Sequence, residues 1–296
     1  MNNLKQIEYW GNHEYDLDTD TLYFNRDYGL CSNFSVLTLF LIALKHHWNL
    51  IPQNIVTNLF CYKNINLFKN LITINKNKII EFKEFSNEIC KSFTLNTGIN
   101  LWGIGHNKNQ INLELINLVF DTFFNLTDTV KSNSLRIVDK YKFNKESFNF
   151  LLWRKTDKIH EITWYDKDAK YPELSDALNL FKNDFKNVVA QTDDIHIMSE
   201  LSRISDITIL NELPLCPDTS GQNGVHTYFN NLTPEQLKNE YNQTHEEQVL
   251  NLLSILHLAS ISKVLVGYPG NMTFTACCLR KNFDNVYFFK DSKNFF

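Results

Sequence analysis

Short runs of β-branched and aromatic residues alternate with longer amphipathic stretches in the second half of the chain. The short runs are typical of buried strands, and stretches with apolar residues every three or four positions are typical of helices. The predicted strands are 148–153, 187–191, 207–210, 263–267 and 286–289, and the predicted helices are 172–186, 194–202, 246–260 and 272–280. Because strands separated by helices need crossover connections, this order predicts a mainly parallel sheet with helices on both faces.

The first half of the chain has a weaker pattern, in which fewer segments keep a clear period. Its predicted elements are strands at 22–24 and 79–80, a turn at 28–33, and helices at 34–47 and 111–124. The segment 131–145 is polar and has no strong period, so we place the connection between two domains within it. We therefore expect an α/β protein whose domains, at 1–143 and 144–296, face one another across a cleft.

Composition and charge narrow the class of protein. The 296 residues exceed the roughly 150 that one core usually holds. A hydrophobic content of 43% against 21% charged residues excludes wholesale disorder. With 29 basic and 33 acidic side chains, the chain lacks the positive charge typical of nucleic-acid-binding proteins. No apolar run approaches the ~20 residues that span a bilayer, and no signal peptide is visible, so we expect a soluble, cytoplasmic protein.

The first candidate site follows the predicted strand 148–153. Three cations and two anions come after it, namely Arg154, Lys155, Asp157, Lys158 and Glu161. Open α/β sheets place ligands at the carboxyl ends of their strands, and an arginine there can grip two oxygens of a diphosphate. The alternative is a solvated turn with local ion pairs.

Two further candidates follow the next strands. Thr192, Asp193 and Asp194 lie at the start of a predicted helix, where an aspartate either caps the helix or reaches into the cleft to bind a hydroxyl or position a basic side chain. Gly267 and Gly270 lead into the predicted helix near Asn271 and Thr273, whose backbone N–H groups could meet an anion. An ordinary tight turn is the alternative.

The remaining signals are weaker. Gly29 lies in a comparable turn before the first long helix, with a simple Ser or Asn cap as the alternative, and His226 lies on an irregular segment. The six cysteines include no Cys-x-x-Cys pair and are too few for a disulfide framework, so we expect reduced thiols. The sequence also contains no metal-binding or phosphate-loop motif.

The order of these motifs is more specific than any one of them. The runs Arg154-Lys-Thr-Asp-Lys158, Ala190-Gln-Thr-Asp-Asp194 and Gly224-Val-His226 together resemble the α1,6-fucosyltransferases and nodulation fucosyltransferases. These enzymes belong to the GDP-fucose-dependent fucosyltransferases of the glycosyltransferase-B fold. The resemblance covers about half of the chain, mostly the carboxyl-terminal part, and Tyr28-Gly-Leu-Cys-Ser-Asn-Phe34 looks like the Gly-rich entry of the same group.

The resemblance implies two Rossmann-like domains, an acceptor side at 1–143 and a nucleotide-sugar side at 144–296. It also implies inverting transfer of fucose from GDP-fucose to a glycan hydroxyl without a metal or other cofactor, in the cytoplasm or at a membrane face that carries the acceptor. Arg154 matches the essential arginine, Glu161 is the candidate base and Lys158 its neighbour. The implied donor-binding residues are Gly29, Lys155, Asp157, Thr192, Asp193, Asp194, His226, Gly270, Asn271 and Thr273.

The sequence also departs from that family. Leu152 stands where the family has a histidine, Lys155 replaces a second arginine, and no carboxylate occurs at 254–255. Glu161 is one residue closer to Lys158 than the family spacing. Because the missing histidine and carboxylate help to read the nucleotide, another nucleotide sugar and a noncatalytic nucleotide- or glycan-binding protein of the same fold are the alternatives.

Overall fold

The computed structural model describes residues 3–8, 12–26, 31, 37, 40, 41, 44, 48–59, 62–66, 71–73, 125–156, 171–181, 187–216, 232–268, 270–280 and 284–288. Contacts divide the chain into two compact units, Met1–Thr129 with Phe295–Phe296, and Val130–Asn294. The predicted strand 79–80, the predicted helix 111–124 and nearly all of the predicted turn 28–33 lie outside the described residues. The expected arrangement of two domains across a cleft and their separate roles stay predictions.

The first unit contains a five-stranded sheet. Its strands, in spatial order, are β1 (Leu4–Glu8), β2 (Asn12–Asp16), β3 (Thr21–Arg26), β4 (Asn54–Leu59) and β5 (Tyr62–Asn66). The β3–β4 pair is parallel, whereas the other three pairs are antiparallel. The short strands β6 (Ile72–Thr73) and β7 (Asn125–Leu126) form a separate antiparallel pair. Strand β3 confirms the prediction at 22–24.

This mixed sheet corrects the expectation of a Rossmann-like amino-terminal domain for the described strands. Between β2 and β3 the chain reverses within a short turn, where Asp16 Oδ1 accepts a hydrogen bond from the backbone N–H of Asp18 at 2.9 Å. Asp20 takes a positive φ of 48° at the end of this turn. A tight turn joins antiparallel neighbours, whereas a Rossmann-like unit requires crossover helices.

The parallel β3–β4 pair has the expected helical crossover. Residues 31, 37, 40, 41, 44 and 48 are helical, in agreement with the predicted helix 34–47. In the core of this unit His13 stacks on Phe24 with ring centroids 4.6 Å apart, and Phe40 packs against both rings. A buried aromatic cluster therefore fixes this crossover against β2 and β3.

The second unit, with the helix that leads into it, alternates strands and helices as predicted. The elements are α1 (Asp128–Tyr141), β8 (Asn149–Trp153), α2 (Leu174–Asn179), β9 (Val188–Thr192), α3 (Ile195–Leu201), β10 (Ile207–Leu210), α4 (Pro234–Tyr241), α5 (His245–Ile261), β11 (Leu265–Gly267), α6 (Asn271–Arg280) and β12 (Val286–Phe288). All four strand pairs are parallel, in the spatial order β10-β9-β8-β11-β12. The prediction of a parallel α/β sheet is confirmed for this unit.

The strand order places a switch point in the middle of the sheet. From β8 the chain continues outward to β9 and β10, and then returns to the other side of β8 with β11 and β12. The order therefore reverses between β8 and β11, and ligands of open α/β sheets bind at the carboxyl ends of such strands. All five residues of β8 are buried, so the sheet gives this point a rigid support.

Helix α1 occupies most of 131–145, the segment in which we placed the connection between two domains. Its buried residues Val130, Ser134, Ile137 and Val138 recur every three or four positions. The stripe is narrow and includes a serine, so its hydrophobic period is weak in the sequence. Ser134 Oγ donates to the carbonyl of Val130 at 2.9 Å and so stays satisfied in the core. The division between the two units falls in the first turn of this helix.

The described part of the chain contains no helix that is long and apolar enough to cross a membrane. Cys277 and Cys278 are buried thiols on α6. Burial raises the pKa of Cys277 to about 12, so the thiol stays protonated and unreactive at neutral pH. These two cysteines agree with the expectation of reduced thiols.

The carboxyl end of α5 is held by the side chain of Arg280, from α6. Its guanidinium donates to the carbonyls of Ser260, Ser262 and Lys263, the last at 3.1 Å. A helix end leaves its last carbonyls without intrahelical partners, and a cation there also opposes the negative end of the helix dipole. Arg280 therefore links α5 to α6 next to the start of β11.

We expect Arg280→Ala to lower the free energy of unfolding of the second unit by about 1–3 kcal/mol, since the carbonyls lose a charged donor. Arg280→Lys keeps the charge but not the several N–H donors of the planar guanidinium, so it should lower the free energy of unfolding by an intermediate amount. Urea unfolding followed by far-UV circular dichroism measures the effect. The exposed Arg203 provides a matched control, and an equal loss in Arg203→Ala would contradict the assignment.

Candidate functional site

The candidate site lies at the carboxyl ends of three neighbouring strands. Arg154 follows β8, Asp193 follows β9 and Tyr268 follows β11. Because all strands of this sheet are parallel, these three residues lie at the same end of the sheet. Strands β8 and β11 flank the switch point, so the fold brings Arg154 and Asp193 to the place where such sheets bind ligands.

Asp193 organises the residues that follow β8. Its Oδ2 accepts from Arg154 Nε at 3.0 Å and from Thr156 Oγ1 at 2.9 Å. Its Oδ1 accepts from the backbone N–H of Lys155 at 3.0 Å. Three donors from three successive residues therefore converge on one nearly buried carboxylate, which fixes both the backbone and the guanidinium at this point.

Arg154 stands at the border between protein and solvent. Its side chain keeps 25% of its surface exposed, against 10% for that of Asp193. The ion pair thus orients the guanidinium without enclosing it. An arginine held in this way can meet an anion from solution with a planar, permanently charged group.

An aromatic cluster connects the two sides of the switch point. The Tyr171 ring stacks on Tyr268 with centroids 5.8 Å apart, and it also packs against Trp153 in an edge contact with centroids 5.8 Å apart. The Tyr171 hydroxyl donates to the backbone carbonyl of Arg154. Burial, together with the nearby Asp193 carboxylate, raises the pKa of Tyr171 well above its ordinary value, so this hydroxyl remains a donor.

The turn after β11 brings the start of α6 close to the sheet. Thr273 is buried, and its Oγ1 donates to the carbonyl of Tyr268 at 2.7 Å. A Cβ atom on Gly267 would lie only 2.6 Å from that Oγ1, so the approach of the helix requires a glycine. Helix α6 begins at Asn271, and its first N–H groups have no partners within the helix. They come shortly after the carboxyl end of β11 along the chain.

The two aspartates after β9 have different tasks. Asp194 is the N-cap of α3, because its Oδ1 accepts from the backbone N–H groups of His196 at 2.7 Å and Ile197 at 3.0 Å. The backbone N–H of Asp194 donates to Thr192 Oγ1 at 3.1 Å. The capping alternative therefore holds for Asp194, with Thr192 in a supporting position, whereas Asp193 contacts Arg154.

The structure brings Arg154, Lys155 and Asp193 together, and places Gly270 and Asn271 at the start of α6. Five residues of the predicted site lie outside the described part of the chain, namely Gly29, Asp157, Lys158, Glu161 and His226. Their roles stay predictions. Among the residues that the structure does describe, no group of three or more His, Cys, Asp or Glu side chains is placed to hold a metal ion.

Three residues that contribute contacts to the candidate site were not predicted from the sequence. Thr156 lies inside the Arg-x-Thr run but received no role. Tyr268 directly follows a predicted strand, which was the available signal for it. Tyr171 is 17 residues from Arg154 along the chain, and no pattern in the sequence links a tyrosine hydroxyl to that carbonyl.

The second unit is thus a parallel α/β sheet with a charged site at its switch point. No family model and no curated protein sequence matches the chain. Its fold is similar to the crystal structure of NodZ alpha-1,6-fucosyltransferase soaked with GDP-fucose, with a TM-score of 0.41 and 11% identity over 87% of this chain and 91% of that chain.

Two further structures give similar values. NodZ alpha-1,6-fucosyltransferase co-crystallized with GDP has a TM-score of 0.43 at 10% identity, covering 86% of this chain and 90% of that chain. Fucosyltransferase NodZ from Bradyrhizobium has a TM-score of 0.42 at 10% identity, covering 89% of this chain and 95% of that chain.

The close approach at Gly267 gives a matched pair of variants. We expect Gly267→Ala to lower the free energy of unfolding by about 1–3 kcal/mol, because the new methyl group collides with Thr273. Gly270→Ala should be tolerated, since its Cβ would lie 3.4 Å from Tyr268 Cδ1, an ordinary contact. Midpoints of urea unfolding measure both effects, and equal midpoints for the two variants would refute the close approach.

Proposed function

We propose that the chain is an inverting glycosyltransferase that uses a nucleotide-sugar donor, with GDP-fucose as the first donor to test and a glycan hydroxyl as acceptor. The observation that carries the proposal is the Arg154–Asp193 ion pair at the switch point. It joins the two sequence runs, Arg-x-Thr-Asp-Lys and Thr-Asp-Asp, on which the resemblance to fucosyltransferases mainly depends.

In the proposed reaction the acceptor oxygen attacks the anomeric carbon while the bond from that carbon to the diphosphate oxygen breaks. The leaving diphosphate gains negative charge as the bond lengthens. Arg154 would meet this charge with its guanidinium, and the N-terminus of α6 would add backbone donors and the positive end of the helix dipole. Because Asp193 already holds the Arg154 guanidinium, this group would need little reorganisation during the reaction.

Asp193 is a positioning residue in this scheme. Its carboxylate receives three donors and holds the guanidinium in one orientation, which suits a planar group that grips two phosphate oxygens. An ion pair of this exposure adds little to stability. Its value in the proposed enzyme is therefore orientation.

The remaining roles are carried over from the resemblance. Glu161 would accept the proton of the acceptor hydroxyl, with Lys158 beside it. Gly29, Asp157 and His226 would complete the donor site together with Lys155 and the start of α6 at Gly270 and Asn271. No metal takes part in this proposal, so we expect a chelator such as EDTA to leave the transfer rate unchanged.

We expect Arg154→Ala to lower transfer by a factor on the order of 10²–10³, the loss typical of one preorganised donor of charge stabilisation. Stability should fall by only about 1 kcal/mol, because the pair is partly exposed and Asp193 keeps two other donors. Arg154→Lys should remain strongly impaired, since an ammonium cannot replace the fork. The assay follows release of the nucleotide and glycosylation of the acceptor for a panel of nucleotide sugars.

The exposed Arg203 again gives a matched control, because Arg203→Ala removes the same charge away from the site. Transfer by Arg154→Ala within a few-fold of the wild-type rate would refute the proposed site. Product with a retained anomeric configuration would refute the inverting mechanism.

A noncatalytic nucleotide- or glycan-binding protein is the second candidate, and one observation favours it. Leu152 occupies the place of the family's histidine and is buried within β8, while Ser254 on α5 is fully buried and accepts a hydrogen bond from Asn133 Nδ2 at 2.9 Å. Neither residue offers a charge to a nucleotide base. Binding of nucleoside diphosphates without turnover of any donor would support this candidate.

A further inference from the structure

We propose that Tyr171 is a positioning residue that holds Arg154 at a fixed distance from the N-terminus of α6, and so sets the gap that accepts a diphosphate. This inference rests on the proposed function. The two groups whose spacing Tyr171 would set are the two that would neutralise the leaving diphosphate. Each step of the argument is a contact between described residues.

The first contact is on the β8 side. The Tyr171 hydroxyl donates to the backbone carbonyl of Arg154, whereas the Arg154 side chain is held through Nε by Asp193. The residue is therefore restrained at both its backbone and its side chain. Losing the hydroxyl would remove the bond at the Arg154 carbonyl, whereas the guanidinium and the N–H of Lys155 would stay bound to Asp193.

The second contact is on the β11 side. The Tyr171 ring stacks on the Tyr268 ring at an interplanar angle of 14°. The carbonyl of Tyr268 accepts from Thr273 Oγ1 in the first turn of α6. A continuous path of contacts thus runs from Arg154 through Tyr171 and Tyr268 to the start of the helix.

A tyrosine suits this position because its two ends have different tasks. The hydroxyl reaches a polar backbone atom, and the ring fills the space between Trp153 and Tyr268. Phenylalanine would keep the packing and lose the hydrogen bond. Tyr171→Phe therefore separates the restraint on Arg154 from the packing of the core.

The test compares inorganic pyrophosphate with orthophosphate by isothermal titration calorimetry on the full chain. If the proposal holds, pyrophosphate contacts both groups with its two phosphates, whereas orthophosphate engages one of them at a time. We expect Tyr171→Phe to weaken pyrophosphate binding about 10-fold and orthophosphate binding by less than about 2-fold, as one lost hydrogen bond to a positioned group allows. A merely structural role would not change the ratio of the two affinities.

Tyr141→Phe is the matched control. Tyr141 also donates its hydroxyl within the second unit, to Asn211 Oδ1, and this bond has no link to Arg154. We expect Tyr141→Phe to lower the melting temperature about as much as Tyr171→Phe does and to leave the pyrophosphate affinity unchanged. An unchanged affinity ratio in Tyr171→Phe, or an equal change in Tyr141→Phe, would overturn the proposal.

Combination with Arg154→Ala distinguishes this inference from the proposed function. In the Arg154→Ala background Tyr171→Phe should cause no further loss of pyrophosphate affinity, because Tyr171 acts through Arg154. Additive losses would overturn the positioning role and leave the proposed function standing. Pyrophosphate binding that is insensitive to Arg154→Ala would overturn both.

Discussion

The ion pair between Arg154 and Asp193 is the interaction on which the site depends. It ties the residue after the central strand to the residue after its neighbour, and the same carboxylate also receives Lys155 N–H and Thr156 Oγ1. A partly exposed pair of this kind contributes little to the stability of the fold. Its effect is to give a charged group one orientation at the edge of a rigid sheet, which is the property that charge stabilisation in a transition state requires.

The strand order decides where that oriented charge can act. The strand order reverses between β8 and β11, which is where ligands of open α/β sheets bind, and α6 begins shortly after β11. Gly267 allows the helix to approach, since any side chain there would collide with Thr273. The residues that build the fold at this point therefore also set the position of α6 beside the sheet.

The central sheet could be predicted from the sequence because its strands are continuous apolar runs followed by charged or turn residues, and burial on both faces produces that pattern. Helix α1 could not, since its buried stripe contains Ser134, whose polarity is satisfied by a contact that the sequence does not display. The hairpin between β2 and β3 depends on hydrogen bonds within its turn. Of two adjacent aspartates, either could cap α3, so only the structure separates Asp193 from Asp194.

Ser254 belongs to a different set of contacts from the Arg154–Asp193 pair. Together with Asn251 it accepts hydrogen bonds from Asn133 and so joins α5 to α1. This polar contact stabilises the packing of two helices and shares no residue with the Arg154–Asp193 pair. A substitution at Ser254 would therefore act on the packing of α5 against α1 and would leave the contact between Asp193 and Arg154 in place.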